Sequence, residues 1–344
     1  MLVTLVDDSI PFNGSTPTHQ PLGGAEKAFA SLPPALARRG HVVRAFSRTP
    51  YSMGIDNVSW VNWDGRRPPI TEALIAYRKP SLLEFTRAIG QRILWVAGHA
   101  AYLNTAAAAD ILTRTEARLV VSGDAQRKTY KGDGKIRALT IQPAVRDDYR
   151  NAGPMEAKGK PPVAIATSHP KHGVDWLINL WVSMIRPRVP EAELHVYSAS
   201  LRKVETANKP VPDELKTVYE LIKSAASSGV ALKGPGGDVD MVRYYRGARV
   251  HLYPSYEHDL MCTTLLETQA VGVPAVCRPL GAVEERIEAG NSGFLGMTDE
   301  EFAEHAIRMM TDDAAFDHAS AEARSNGRTR SWENVASEFE SVFR

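Results

Sequence analysis

The stretch YPSYEHDLMCTTLLETQAVGVPAV runs from Tyr253 to Val276, and its reading decides the fold. The short apolar run Val250–Tyr253 predicts a buried strand. A polar turn follows, with Glu257, His258 and Asp259. Thr263–Val271 then predicts a helix with Glu267 inside it, ended at Gly272-Val273-Pro274, where Gly suits the end of a helix and Pro cannot continue it. A strand that turns directly into a helix leaves the first-turn amides without intrahelical acceptors. With the helix dipole behind them, such amides accept phosphate readily. A carboxylate about one and a half turns further on can face the same crevice and bind ribose hydroxyls.

The same alternation extends outward in both directions. Upstream, Val163–Ala166, Leu194–Tyr197 and Val230–Lys233 read as strands, separated by helices over Val174–Ile185 and Pro212–Ser227, with Val239–Gly247 a further helix before Val250. Downstream, Ala275–Cys277 is a strand, and Glu300–Thr311 and Trp332–Phe343 are terminal helices. The segment NAGPMEAKGKPP, Asn151 to Pro162, has the Gly, Pro and Lys content of a linker. Before it, Leu2–Val6, His41–Phe46, Val58–Trp63, Arg92–Val96, Leu119–Val121 and Ile136–Ile141 read as strands, with a helix over Ala25–Arg39. Strands and helices in alternation imply parallel α/β sheets. A chain of 344 residues suits two domains of roughly 150–180 residues each. We therefore expect two Rossmann-like domains facing each other across a cleft. The first is 1–155 and the second 156–330, while 331–344 is a terminal helix crossing back to the first. Ligand is expected at the carboxyl ends of the strands.

Composition narrows the function. The net charge is +1 with His neutral, so nothing drives the whole chain toward nucleic acid. The two cysteines, Cys262 and Cys277, sit in apolar sequence without metal-ligand spacing and read as reduced structural thiols. No basic, long-apolar leader opens the sequence, and no run is long enough to span a membrane. A cytoplasmic location is the expectation. The stretch Tyr77–Trp95 mixes Arg78, Lys79, Arg87 and Arg92 with Leu82, Leu83, Phe85 and Ile93, which fits either a helix packed on its domain or weak peripheral contact with a membrane.

The quoted stretch resembles the donor-binding motif of retaining GT-B glycosyltransferases, glycosyltransferase family 4. In that pattern a Glu, seven residues and a second Glu are followed by A-x-A-x-G-x-P. Asp259 and Glu267 stand at this spacing, and Thr268 to Pro274 continue it. Asp259 departs from the usual Glu by one methylene. The resemblance implies a nucleoside-diphosphate sugar as donor and a hydroxyl (glycan, lipid or small molecule) as acceptor. It implies donor binding by Leu260, Met261, Cys262, Thr263 and Glu267, with Asp259 at the reacting sugar. It covers residues 160–300 strongly and the first 150 loosely.

Other segments take their meaning from the same resemblance. Gly23 and Gly24 open a helix after the first strand, where the family's loop lies over the donor phosphates. Without the resemblance the pair is equally an ordinary turn. Glu26 is a weaker candidate. Lys171, in the sequence TSHPKHG from Thr167 to Gly173, can neutralise a diphosphate or remain a solvated loop lysine. His172 stands where the family often has a lysine. An upstream arginine is missing. Gly236, in Lys233-Gly-Pro-Gly-Gly237, lies in a loop that serves the base or the phosphates. Pro279–Glu285 and Gly290–Leu295 are read as mainly architectural, with Gly281 a candidate for a place near the diphosphate. His99 closes a first-domain strand, near the transferred sugar in the family and structural otherwise. Asp7, Asp8 and Ser9 either touch acceptor or cap a turn.

The implied reaction is metal-independent glycosyl transfer with retention and without a cofactor. The leaving diphosphate is stabilised by helix N-termini and Lys171, and takes the acceptor proton. Asp238-Val239-Asp240 is read as a helix cap rather than a cation site. Two other readings stay open: a nucleotide-sugar epimerase on the same fold and a non-catalytic nucleotide-sugar-binding protein. A nicotinamide-dependent oxidoreductase is disfavoured, because no G-x-G-x-x-G follows the first strand.

Overall fold

In the computed structural model, residues 1–132, 136–159, 161–207 and 209–343 are described. Lys160 of the expected linker lies outside them. The chain forms two compact units. One is Met1–Pro17, Leu22–Arg146 and Arg330–Arg344, the other Thr18–Pro21 and Asp147–Thr329.

The first unit holds eight strands: β1 Leu2–Val6, β2 Val42–Ser47, β3 Met53–Ile55, β4 Val58–Asn62, β5 Thr71–Tyr77, β6 Ala88–Trp95, β7 Arg118–Val121 and β8 Ala138–Thr140. Their order is β3-β4-β2-β1-β5-β6-β7-β8. All neighbours are parallel except β3 and β4, which form a hairpin. Val6, Leu74, Leu94, Leu119 and Val121 build one apolar face of this sheet. The chain moves from β1 outward to β2, then returns to place β5 on the other side of β1. That reversal opens a crevice at the carboxyl ends of β1 and β5.

The stretch Tyr77–Trp95 corrects the sequence reading. It is a short 3-10 turn, Pro80–Glu84, followed by β6, and not an amphipathic helix. Leu82, Leu83, Phe85 and Ile93 are all buried in the unit's core, so they offer no apolar face to a membrane. Among the described residues no helix is long and apolar enough to cross a membrane.

The C-terminal helix, Trp332–Val342, starts with a capping box between Ser331 and Asn334. Phe339 sets its ring edge-on to Trp95 at 5.2 Å, and Glu340 receives hydrogen bonds from Arg39 at 2.7 Å and His41 at 2.9 Å. The Arg39 hydrogen bond, then that of His41, holds the Glu340 carboxyl down to about 2. A depressed carboxyl stabilises the fold above its unfolded value, and that contribution disappears as pH falls through the folded one. Glu340→Gln is therefore expected to lower Tm at pH 6, with the difference from the parent closing as the pH approaches 2. Thermal melts across that range check it.

The second unit holds β9 Val163–Ala166, β10 Glu193–Tyr197, β11 Val230–Lys233, β12 Val250–Tyr253, β13 Ala275–Cys277 and β14 Gly293–Leu295. The order is β11-β10-β9-β12-β13-β14, parallel throughout. Leu177, Trp181, Leu194, Val196, Leu252 and Phe302 anchor its core. Here the reversal falls between β9 and β12. Residues 147–155, expected with the first unit, belong to the second. The reason is local: the Tyr149 hydroxyl donates to the buried Asp238 at 2.7 Å, and Arg246 donates to the Pro154 carbonyl at 2.8 Å.

Candidate functional site

The loops leaving β9 and β12 meet at the reversal point of the second sheet, as a ligand crevice in an open parallel sheet requires. The β12 loop ends in helix Thr263–Val271, whose N-cap, Cys262, is left-handed at φ 48°. Asp259 holds this turn. Its Oδ1 accepts from the Cys262 N–H at 3.0 Å, and its Oδ2 accepts from the Tyr253 hydroxyl. Its carbonyl accepts from the Ala282 N–H at 2.9 Å. Gly281 has φ 65°, and a Cβ there would lie 2.4 Å from that carbonyl, so only glycine lets the two loops close. Leu260, Met261 and Cys262 are buried, and Thr263 is half-buried at the start of the helix.

Glu267 lies inside the helix and is 3% exposed. It neighbours the stacked Tyr149 and Tyr245, whose hydroxyls are raised well above their usual range first by burial and then by the Glu267 charge. Asp238 and Asp240 face different partners, Tyr149 and Arg243. Asp238 is the first residue of its helix, one place inside the N-cap Gly237, and also binds the Tyr149 hydroxyl. A Cβ on Gly236 would lie 2.5 Å from the Asp240 side chain, so this glycine lets the loop after β11 pass its own helix.

On the β9 loop, Lys171 is exposed. His172 stacks flat on Tyr256 of the β12 loop, with ring centroids 4.1 Å apart and planes 5° apart, and His169 lies 5.0 Å from His172. Burial lowers both imidazoles. For His172, Asp259 pulls the other way and Lys171 adds to the lowering. Arg278 fixes the β12 loop by donating to the carbonyls of Pro254 and Ser255 while its guanidinium covers Trp176 at 4.4 Å.

In the first unit, Gly23 caps the helix that Gly24 opens, without a side-chain bond. Glu26 accepts from Arg78 at 2.5 Å, and Arg78 also approaches the buried Asp7 at 3.7 Å. Ser9 donates to Asp7 at 2.5 Å and Lys79 to Asp8 at 2.8 Å. Burial raises the Asp7 carboxyl. These groups cluster at the carboxyl ends of β1 and β5. His99 caps a 3-10 turn, its Nδ1 accepting from the Ala101 N–H at 3.1 Å.

Residues 162–312 match the family described as glycosyl transferases group 1. The whole chain is similar in fold to sucrose-phosphate synthase from Thermosynechococcus elongatus, at TM-score 0.73 and 14% identity over 99% of this chain and 98% of the other. It is likewise similar to Anabaena HepE, determined with UDP and glucose, at 0.68 and 13% over 99% of each chain. A glycosyltransferase from Rickettsia africae superposes at 0.68 and 14%, over 99% and 97%. Residues 162–312 are thus similar to glycosyl transferases group 1, and the chain as a whole has the GT-B fold. Among curated proteins none matches its sequence.

The second unit brings together the β9 loop with Lys171 and the β12 loop from Asp259 to Thr263. Sequence reasoning missed Tyr256, Arg278 and Trp176, which shape these loops. The cation–aromatic pairing of Arg278 and Trp176 joins residues about a hundred positions apart and leaves no local pattern. His172 carried a signal, its place beside Gly173, but not its stacking partner.

Proposed function

We propose that this chain transfers a glycosyl unit from a nucleoside-diphosphate sugar to a hydroxyl, with retention and without a metal ion. The observation that carries the reading is the reversal between β9 and β12, where Thr167 of the β9 loop bonds Thr264 in the first turn of helix Thr263–Val271 and His172 stacks on Tyr256. In this reading the diphosphate sits against the first-turn amides, and Lys171 faces its charge. Cys262, Leu260 and Met261 form the turn that aims those amides. Asp259, with both carboxylate oxygens engaged, acts as a positioning residue. Glu267 holds the ribose. The diphosphate, as leaving group, takes the acceptor proton. The family match covers this unit, and HepE, of the same fold, was determined with UDP-glucose.

Calorimetry with UDP, ADP and GDP, with and without EDTA, tests it. One nucleoside diphosphate is expected to bind equally in both conditions. Binding abolished by EDTA would overturn the metal-free reading. Incubation of the matching nucleotide sugar without acceptor separates transfer from epimerisation, since an epimerase converts it alone.

We assign the first unit to the acceptor side. His99→Ala is expected to lower turnover more than tenfold while changing donor affinity less than twofold. Unchanged turnover in a folded variant would leave His99 with its capping role only.

A further inference from the structure

We propose that His251 is a positioning residue for the donor diphosphate, acting through Thr167 to direct the Thr264 hydroxyl toward the anion at the start of helix Thr263–Val271. The inference rests on the donor reading above. His251 lies in the middle of β12 and is fully buried, where a polar side chain is retained only with its hydrogen bonds satisfied. Both ring nitrogens are satisfied by hydroxyls: Nε2 is 2.9 Å from Thr167 Oγ1, and Nδ1 is 2.9 Å from Thr268 Oγ1. Thr167 follows β9, and its hydroxyl donates in turn to Thr264 Oγ1 at 2.8 Å.

The direction of the chain is set by the Thr167 hydroxyl, which donates to Thr264. Burial pushes the imidazole down to about 3, so it is neutral and carries one N–H. Thr167 has one hydroxyl proton, and it goes to Thr264. The contact between Thr167 and Nε2 therefore needs the proton on Nε2. Nδ1 is then the acceptor, filled by Thr268, whose proton is shared with the Leu265 carbonyl at 3.1 Å. The bonds run one way, from Thr268 through His251 and Thr167 to Thr264. Thr264 receives a proton and keeps its own for a ligand. Hydrogen bonds aligned head to tail polarise one another, which strengthens the last donor. Thr264 is half-buried in the first turn of the helix, where an anion is already favoured.

Phenylalanine at 251 keeps the ring and removes both hydrogen bonds, and valine at 264 keeps the shape of threonine. Binding of UDP, or of whichever nucleoside diphosphate the parent binds, is measured for H251F, T264V and H251F/T264V beside Tm. Inorganic pyrophosphate serves as a second probe. T264V is expected to weaken the diphosphate about tenfold, H251F about fivefold, and the double variant no more than T264V alone, because both act through one hydroxyl. Affinity unchanged in H251F while Tm falls, or full additivity in the double variant, would overturn the role. A parent that binds pyrophosphate but no nucleoside diphosphate would defeat the donor reading. The same variants read with pyrophosphate would still decide the relay.

Discussion

Asp259→Ala is expected to lower turnover about a hundredfold and to lower Tm at the same time. The Tyr253 hydroxyl is buried and donates to Asp259, while the Cys262 N–H at the left-handed turn donates to the other carboxylate oxygen. Alanine strands both donors. A buried donor left unsatisfied costs about 1–3 kcal/mol. For a unit of this size each kcal/mol is about 2–4 °C in Tm. The turn also sets where the helix amides point, and a displacement of about 1 Å in such a site costs about a hundredfold in rate. Asparagine separates positioning from charge. Its carbonyl can still accept from Cys262, while its amide faces the Tyr253 hydroxyl, whose proton loses its acceptor. Asp259→Asn should therefore keep the turn and most turnover, with Tm between alanine and parent. A variant with Tm no lower than that of Tyr253→Phe and turnover down a hundredfold would show that the carboxylate charge itself is needed, and the positioning role would be wrong. Tyr253→Phe, which leaves the Cys262 contact intact, should fall between parent and alanine in stability.

How far the sequence could be read depended on whether a signal was local. The strand, turn and helix from Val250 to Pro274 were legible because apolar spacing and Gly-x-Pro punctuation lie within one short window. β5 was not. Its sequence, TEALIAY, contains the good helix formers Glu, Ala and Leu, and its strand state comes from burial between β1 and β6. β3 was missed although Asp56 and Asn57, both at positive φ, are a turn signal for the hairpin it forms with β4. The surface reading of Leu82, Leu83 and Phe85 failed for a related reason. Apolar residues interleaved with arginines describe an amphipathic helix and a buried turn leading into an interior strand equally well, and only the tertiary fold chooses. In the site, the residues at 171, 259 and 267 could be named from the family resemblance. Partners could not. That His251 binds Thr167 and Thr268, and reaches Thr264 through Thr167, depends on β9 and β12 being neighbours.

Glu267→Gln is expected to weaken nucleoside diphosphate and nucleotide sugar alike, by about ten- to a hundredfold, with Tm unchanged or raised. The ribose is common to both ligands, and a hydrogen bond to a charged group is worth about 1.5–3 kcal/mol. Glutamine keeps the volume of the side chain in a position that is 3% exposed. It also removes a buried charge from beside Tyr149, Tyr245 and the Asp238 that Tyr149 binds, and burying a charge is costly. Function and stability should therefore move in different directions. Glu267→Ala, in contrast, opens a cavity against the tyrosine pair and should lose both. Inorganic pyrophosphate, which has no ribose, should bind Glu267→Gln as it binds the parent. Calorimetry with the two ligands and a thermal melt of each variant decide the matter. Parental affinity for nucleoside diphosphate in Glu267→Gln would return Glu267 to the packing of its helix. Equal weakening of pyrophosphate would move its role from the ribose to the shape of the helix start.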